Sequence, residues 1–164
     1  MLALGALGIM VLGGLLLITP SVTDAPARVR ALDRAHGVPY PGPVVPERFA
    51  SALAAGRETV LARYLARALY TTGRSGLMAS GEVDLLAVKL GMTFTARRIV
   101  QLYADAAYFG HGWYGLKAAS CGYFGAPPQR LSQAQAAMLA GVAAAPASMP
   151  EPPTRRACPP RARR

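Results

Sequence analysis

From residue 46 to residue 150 the apolar residues recur at helical spacing. Val60, Leu61, Tyr64, Leu65, Ala68 and Leu69 draw a wide stripe along one face of a helix. Val83, Leu86, Ala87 and Leu90 follow the i, i+3, i+4, i+7 pattern of a second, with Gly91 placed to cap it. Thr95 is a fitting N-cap for a third, whose inward residues are Ile99, Leu102, Tyr103 and Ala106. Ser132 with Gln135 three residues later is a capping box, and it opens a last helix with Met138, Leu139 and Val142 inward. Turn chemistry separates these segments at Thr71-Thr72-Gly73 and at Gly125-Ala126-Pro127-Pro128. No segment alternates as a strand would, so the expected fold class is all-α.

The flanks follow different rules. Leu2 to Ile18 is a run of 17 uncharged residues with no polar break. As a helix it would be about 25 Å long, near the lower limit for crossing a bilayer. Residues 1–18 therefore read as a transmembrane anchor. A cleaved signal is the rival, because Ala25-Pro26-Ala27 has the small residues of a cleavage site. Residues 19–45 read as a linker in which dense proline disfavours helix, 46–150 as the ordered domain, and 151–164 as a basic disordered tail.

Charge changes the picture less than its size suggests. The net charge is +10, but 16 of the 18 basic residues are Arg in an Ala-rich chain, and outside the tail they are scattered. No zinc spacing, helix-turn-helix signature or aromatic RNA-binding motif accompanies them, so nucleic acid is not expected as a partner; a basic DNA-binding domain is the weakest reading. A basic domain beside an anionic membrane or an anionic lipid-linked substrate accounts for the sign. Export would permit a disulfide between the two cysteines, Cys121 and Cys158; with one of them in the tail, two free thiols are expected.

The densest chemistry lies in Tyr108 to Gly125, which holds five glycines, six aromatic residues and one histidine. Glycine admits backbone angles closed to other residues, or lets another group come close. Aromatic rings beside it would wall a groove. The echo of Tyr108-Phe109-Gly110 in Tyr123-Phe124-Gly125 is read as two similarly sealed helix ends. Tyr103, Tyr108 and Phe124 are expected in the core.

These residues resemble the peptidoglycan glycosyltransferases, the transglycosylase domains of bifunctional penicillin-binding proteins and of monofunctional membrane-anchored relatives. The resemblance runs from about Val44 to Pro150. Gly112, Gly115, Leu116, Ala118, Ala119 and Tyr123-Phe124-Gly125 match the family's late motif. Ile99-Val100, Tyr103 and Tyr108-Phe109-Gly110 match the helix and turn before it, with Ala104-Asp105 in place of Leu-Asn. The segment from Leu131 to Pro150 is similar to the family's next helix. The resemblance implies a lysozyme-like helical transglycosylase domain that polymerises lipid II, a disaccharide-pentapeptide on a polyprenyl diphosphate, into glycan strands. In that reaction a carboxylate takes the acceptor hydroxyl's proton, and cationic groups or a divalent cation such as Mg or Mn help the diphosphate leave.

The same comparison shows departures. The family's Glu-Asp-x-x-Phe motif, whose Glu is the general base, should follow Ala54-Ala55, yet no Glu-Asp pair occurs anywhere in the chain. Arg57 to Tyr70 is a worn form of the second motif, without its paired glycines and glutamines. Glu82 lies one position from the third motif's Glu and is the catalytic candidate. Its plainer reading is a solvated carboxylate at a helix start. Arg97 and Arg98, adjacent to the place of the fourth motif's Lys, are candidates for binding the diphosphate. Tyr108, His111, Gly112 and Gly115 are the further substrate-binding candidates. No residue set has metal-ligand spacing.

The expectation is thus a single-pass plasma-membrane protein with its domain on the extracytoplasmic face. Its partners are lipid II and membrane, and cell-wall synthesis proteins beyond them. The alternative is a non-catalytic lipid II- or glycan-binding protein, or an inactive remnant, of the same family.

Overall fold

The structure, a computed structural model, describes residues 13–14, 20–35, 45–55, 58–70 and 77–144. The expected anchor, apart from Gly13 and Gly14, and the basic tail fall outside these, as does the turn at Thr71-Thr72-Gly73. No helix among the described residues is long and apolar enough to cross a membrane.

The described helices are α1 (Ala25–Ala35), α2 (Glu47–Ala54), α3 (Glu58–Tyr70), α4 (Leu77–Thr93), α5 (Ala96–Ala106), α6 (Gly115–Phe124) and α7 (Gln133–Ala144), with a 3-10 turn at Pro128–Arg130. An isolated bridge between Tyr108 and Tyr114 accounts for the extended pairing among the described residues. The all-α expectation holds.

α5 is the axis of the assembly, packed against α1, α2, α3, α4 and α6. Its sequence explains this. Ile99, Val100, Leu102, Tyr103, Ala104 and Ala106 are all buried, while Arg97, Arg98, Gln101 and Asp105 share the opposite side, so α5 is amphipathic with an apolar face wide enough to meet several helices at once. Thr95 caps it as expected, its Oγ1 accepting from the Arg98 backbone N–H at 3.3 Å. α7 packs on α2. Its capping box closes reciprocally: Ser132 N–H donates to Gln135 Oε1 at 2.8 Å, and Gln135 N–H to Ser132 Oγ at 3.2 Å. Arg48 of α2 donates to the Leu131 carbonyl just before this box and locks the pair together.

Four sequence expectations change. The connector contains α1, which buries Val22, Ala25 and Val29. Pro26 sits in the first turn, where its missing N–H is no loss, and Ala27 and Arg28 both donate to the Asp24 carbonyl. Gly91 does not end α4. The helix runs on to Thr93, and the Phe94 N–H still reaches the Leu90 carbonyl at 2.9 Å. Met138 is exposed, because α7 turns Ala136, Leu139, Ala140 and Ala143 inward instead. Cys121 is in a disulfide rather than free, and the chain's other cysteine, Cys158, lies outside the described residues.

Asp24 also fixes α1 to α3. Its carboxylate accepts from the Tyr70 hydroxyl at 2.7 Å and from Arg28 Nε at 2.7 Å. Burial alone would raise the Asp24 pKa, but these bonds and the Arg28 charge together hold it below the usual carboxylate value. The Arg28 guanidinium lies 4.5 Å from the centre of the Tyr70 ring, adding a cation–π contact to the same joint.

Candidate functional site

Between α5 and α6 the chain reverses through three consecutive left-handed residues: Gly110 at φ 82°, His111 at 54° and Gly112 at 81°. Two of these are glycines, for which the conformation carries no Cβ penalty; His111 accepts it with some strain. Three backbone bonds of 2.9 Å close the reversal, from Trp113 N–H to Gly110, Phe109 N–H to Trp113 and Gly115 N–H to Ala107. Tyr108 and Tyr114 stand opposite one another with ring centroids 4.9 Å apart. The His111 ring lies 5.6 Å from Trp113 and 6.0 Å from Tyr123.

Two glycines of this motif are required by close approach. A Cβ on Gly115, itself at φ 79°, would stand 2.9 Å from the Asp105 carbonyl oxygen. A Cβ on Gly122 would stand 2.3 Å from the Trp113 indole, so α6 leaves a gap into which that ring fits. Tyr123 then ties α6 to the turn, its hydroxyl donating to the Phe109 carbonyl at 2.8 Å. Burial, with a smaller contribution from Tyr108, raises the Tyr123 pKa. Tyr108 is 41% exposed rather than in the core, while Tyr103 is buried as expected and Phe124 is half-buried. The result is a rigid knuckle with Tyr108 and the open side of Gly112 facing outward.

A second feature lies at the other end of α5. A groove of about 470 Å³ runs between α3, α4 and α5, lined by Ala87, Val88, Gly91, Phe94 and Ile99 with Arg63 and Asp84 as its charged residues. Arg63 Nε and Asp84 Oδ1 are 2.6 Å apart, bridging α3 to α4. On the other flank of α5 a smaller pocket of about 210 Å³ lies against α2, with Glu47 and Arg97 among its lining residues. Ala96 and Ile99 line both. Arg97 Nη2 meets Glu47 Oε2 at 3.1 Å, with both side chains 77% exposed. Arg98 Nη1 donates to Gln101 Oε1 at 3.3 Å.

The residues expected to bind substrate thus fall into two groups. Tyr108, His111, Gly112 and Gly115 form the knuckle after α5, while Arg97 and Arg98 stand in its first turn. The helix between them has 11 residues, which separates the groups by about 16 Å along its axis. Glu82 lies on α4, half-buried, and is not one of the groove's lining residues; Asp84, two positions on, is. Sequence reasoning passed over Asp84, Arg63 and Glu47. Asp84 had a signal, since it shares the i, i+3, i+4, i+7 face of Ala87, Val88 and Gly91. The two cross-helix pairs had none. Among the described residues no three His, Cys, Asp or Glu side chains gather to hold a metal ion.

An all-α domain with a glycine-aromatic knuckle and a groove beside its central helix is the class defined so far. Residues 61–163 match the family described as Transglycosylase, and the chain belongs to that family. It is 33% identical over 97 residues to penicillin-binding protein 1A of Mycobacterium tuberculosis, covering 57% of this chain and 12% of that protein. It is 43% identical over 70 residues to a biosynthetic peptidoglycan transglycosylase of Citrobacter koseri, covering 43% of this chain and 28% of the relative. A biosynthetic peptidoglycan transglycosylase of Alcanivorax borkumensis is 35% identical over 88 residues, covering 54% of this chain and 36% of the relative. The chain therefore spans well under half the length of these relatives.

Proposed function

We propose that this chain acts on lipid II as a peptidoglycan glycosyltransferase in cell-wall synthesis, from the outer face of the plasma membrane. The observation that carries the reading is the family match across residues 61–163, which includes the knuckle and the groove-lining helices. In the proposed reaction a carboxylate accepts the proton of the acceptor sugar's hydroxyl. That oxygen bonds to the donor's anomeric carbon as the bond to the polyprenyl diphosphate breaks, and the electron pair leaves with the diphosphate. Arg97 and Arg98, beside the positive end of the α5 dipole, would neutralise that leaving group. Where a divalent cation such as Mg or Mn takes part, it would be held chiefly by the diphosphate oxygens with one or two carboxylates, the usual arrangement for a hard cation on phosphate. Tyr108, His111, Gly112 and Gly115 would bound the glycan, and the fold would be the lysozyme-like one of the family.

The proton acceptor is the open element of this scheme. Glu82 is the carboxylate nearest the family's motif in sequence; Asp84 is the one at the groove. A second reading, binding of lipid II without turnover, is favoured by one observation, the lack of any Glu-Asp pair in the chain. Incubating the full chain with labelled lipid II separates them. Glycan polymer establishes the transferase, whereas bound and unconverted lipid II establishes the binding protein.

A further inference from the structure

The smaller pocket, between α2 and α5, has an ion pair in its wall. Most of its lining is apolar, with Ala50, Ala54, Leu61, Ile99 and Val100 among it. Glu47 and Arg97 are the charged lining residues, one from the first turn of each helix, and Arg97 Nη2 meets Glu47 Oε2 at 3.1 Å. Ser51, the other polar residue of the lining, donates its hydroxyl back to the Glu47 carbonyl at 2.9 Å. The guanidinium of Arg98 is turned to Gln101. The charge that Arg97 could offer a ligand is thus already taken by a carboxylate of the same chain.

That hold is weak. Both side chains are 77% exposed, and an ion pair in solvent holds its partners by a factor of no more than about five. A diphosphate carries more charge than one carboxylate and accepts parallel bonds from a guanidinium, so it can displace Glu47. Geometry also excludes a second use of this carboxylate. In a direct displacement the hydroxyl attacks the anomeric carbon from the face opposite the leaving group. A carboxylate in contact with the leaving group's cation stands on the wrong side of that carbon to take the hydroxyl's proton.

We propose that Glu47 is an internal competitor for the diphosphate: it holds Arg97 at the pocket between α2 and α5 until a diphosphate displaces it. The proposal rests on the reading that Arg97 takes the diphosphate, and adds the residue that opposes it. The exchange swaps one anion for another on the same guanidinium. Glu47 therefore lowers the affinity for substrate and released product alike, and its return to Arg97 helps the product diphosphate to leave.

Side-chain NMR of isotopically labelled arginine in the full chain, titrated with inorganic pyrophosphate, provides the test. The Nε–H signals of Arg97 and Arg63 are assigned by their loss in Arg97→Gln and Arg63→Gln. Arg63, paired with Asp84 on the other flank of α5, is the reference for any general gain in anion attraction. Glu47→Gln is expected to lower the pyrophosphate midpoint at Arg97 by about two- to fivefold, and to leave any midpoint at Arg63 within about 1.5-fold of its original value. Both members of the Glu47–Arg97 pair are largely exposed, so the substitution leaves the core intact. An Arg97 midpoint unmoved by Glu47→Gln, or Arg97 and Arg63 midpoints that move together, overturns the competition while the diphosphate reading of Arg97 stands. No response of Arg97 to pyrophosphate in either protein overturns both.

Discussion

The Asp105 carbonyl oxygen occupies the space that a side chain on residue 115 would need, 2.9 Å from an ideal Cβ, and Gly115 is in addition left-handed. The entry into α6 is therefore closed to any other residue. Gly115→Ala is expected to destabilise the domain by about 3 kcal/mol or more, the sum of backbone strain and a clash with backbone that cannot rotate away. Gly112→Ala, at φ 81° but with nothing within 4 Å of the new Cβ, should cost only about 1 kcal/mol. Urea denaturation of the two variants in the same detergent compares them; equal losses would refute the close-approach argument.

Gly122→Ala tests the other half of the knuckle. Trp113 is the only tryptophan, so its fluorescence reports this site alone. A methyl group at residue 122 must displace the indole, and the emission should shift to the red as the ring gains water, with a stability loss of about 1–3 kcal/mol. An unchanged spectrum would mean that α6 moves instead of the ring.

Tyr103 makes a pH-dependent contribution. Its hydroxyl donates to the Ala143 carbonyl at 2.8 Å, and burial, with a smaller effect of Tyr64, pushes its pKa up to about 12 from an ordinary 10.0. The folded state thus holds the proton more tightly than the unfolded state. This contribution is fully present below pH 10 and is lost as the pH rises through about 12. Tyr103→Phe should cost about 1–3 kcal/mol at neutral pH, by leaving the Ala143 carbonyl unpaired, and should flatten the alkaline limb of the stability curve. Chemical denaturation between neutral pH and the alkaline range follows both effects.

Sequence patterns revealed the helices better than the site, and the reason is physical. The Ser132–Gln135 box and the Thr95 cap are local, so a few neighbouring residues specify them, and both formed as read. The inward face of α5 followed from its spacing. α1 was hidden by counting prolines without regard to position, because Pro26 falls in the first turn where proline is tolerated. The Arg63–Asp84 and Glu47–Arg97 pairs join residues of different helices, and nothing local announces them. Tyr108 was read both as core and as substrate-binding; the tight turn after it, set by three left-handed residues, leaves its ring partly in solvent.

Glu82 and Asp84 can be told apart by kinetics. Whichever carboxylate accepts the proton, its amide replacement should lower turnover by a factor of about 10²–10⁴ with little change in lipid II affinity. Asp84→Asn should in either case weaken the bridge from Arg63, a half-exposed pair worth no more than about 1 kcal/mol. Initial rates for Glu82→Gln and Asp84→Asn on the full chain make the comparison. Equal, small effects from both would remove each of them as the proton acceptor.

The central claim is that this transglycosylase-family chain takes lipid II as its substrate. It is tested most directly by product analysis after the full chain, in vesicles, is given labelled lipid II. The account predicts glycan strands of several disaccharides with release of polyprenyl diphosphate. Unconverted lipid II, whether or not the label stays bound to the protein, would contradict it.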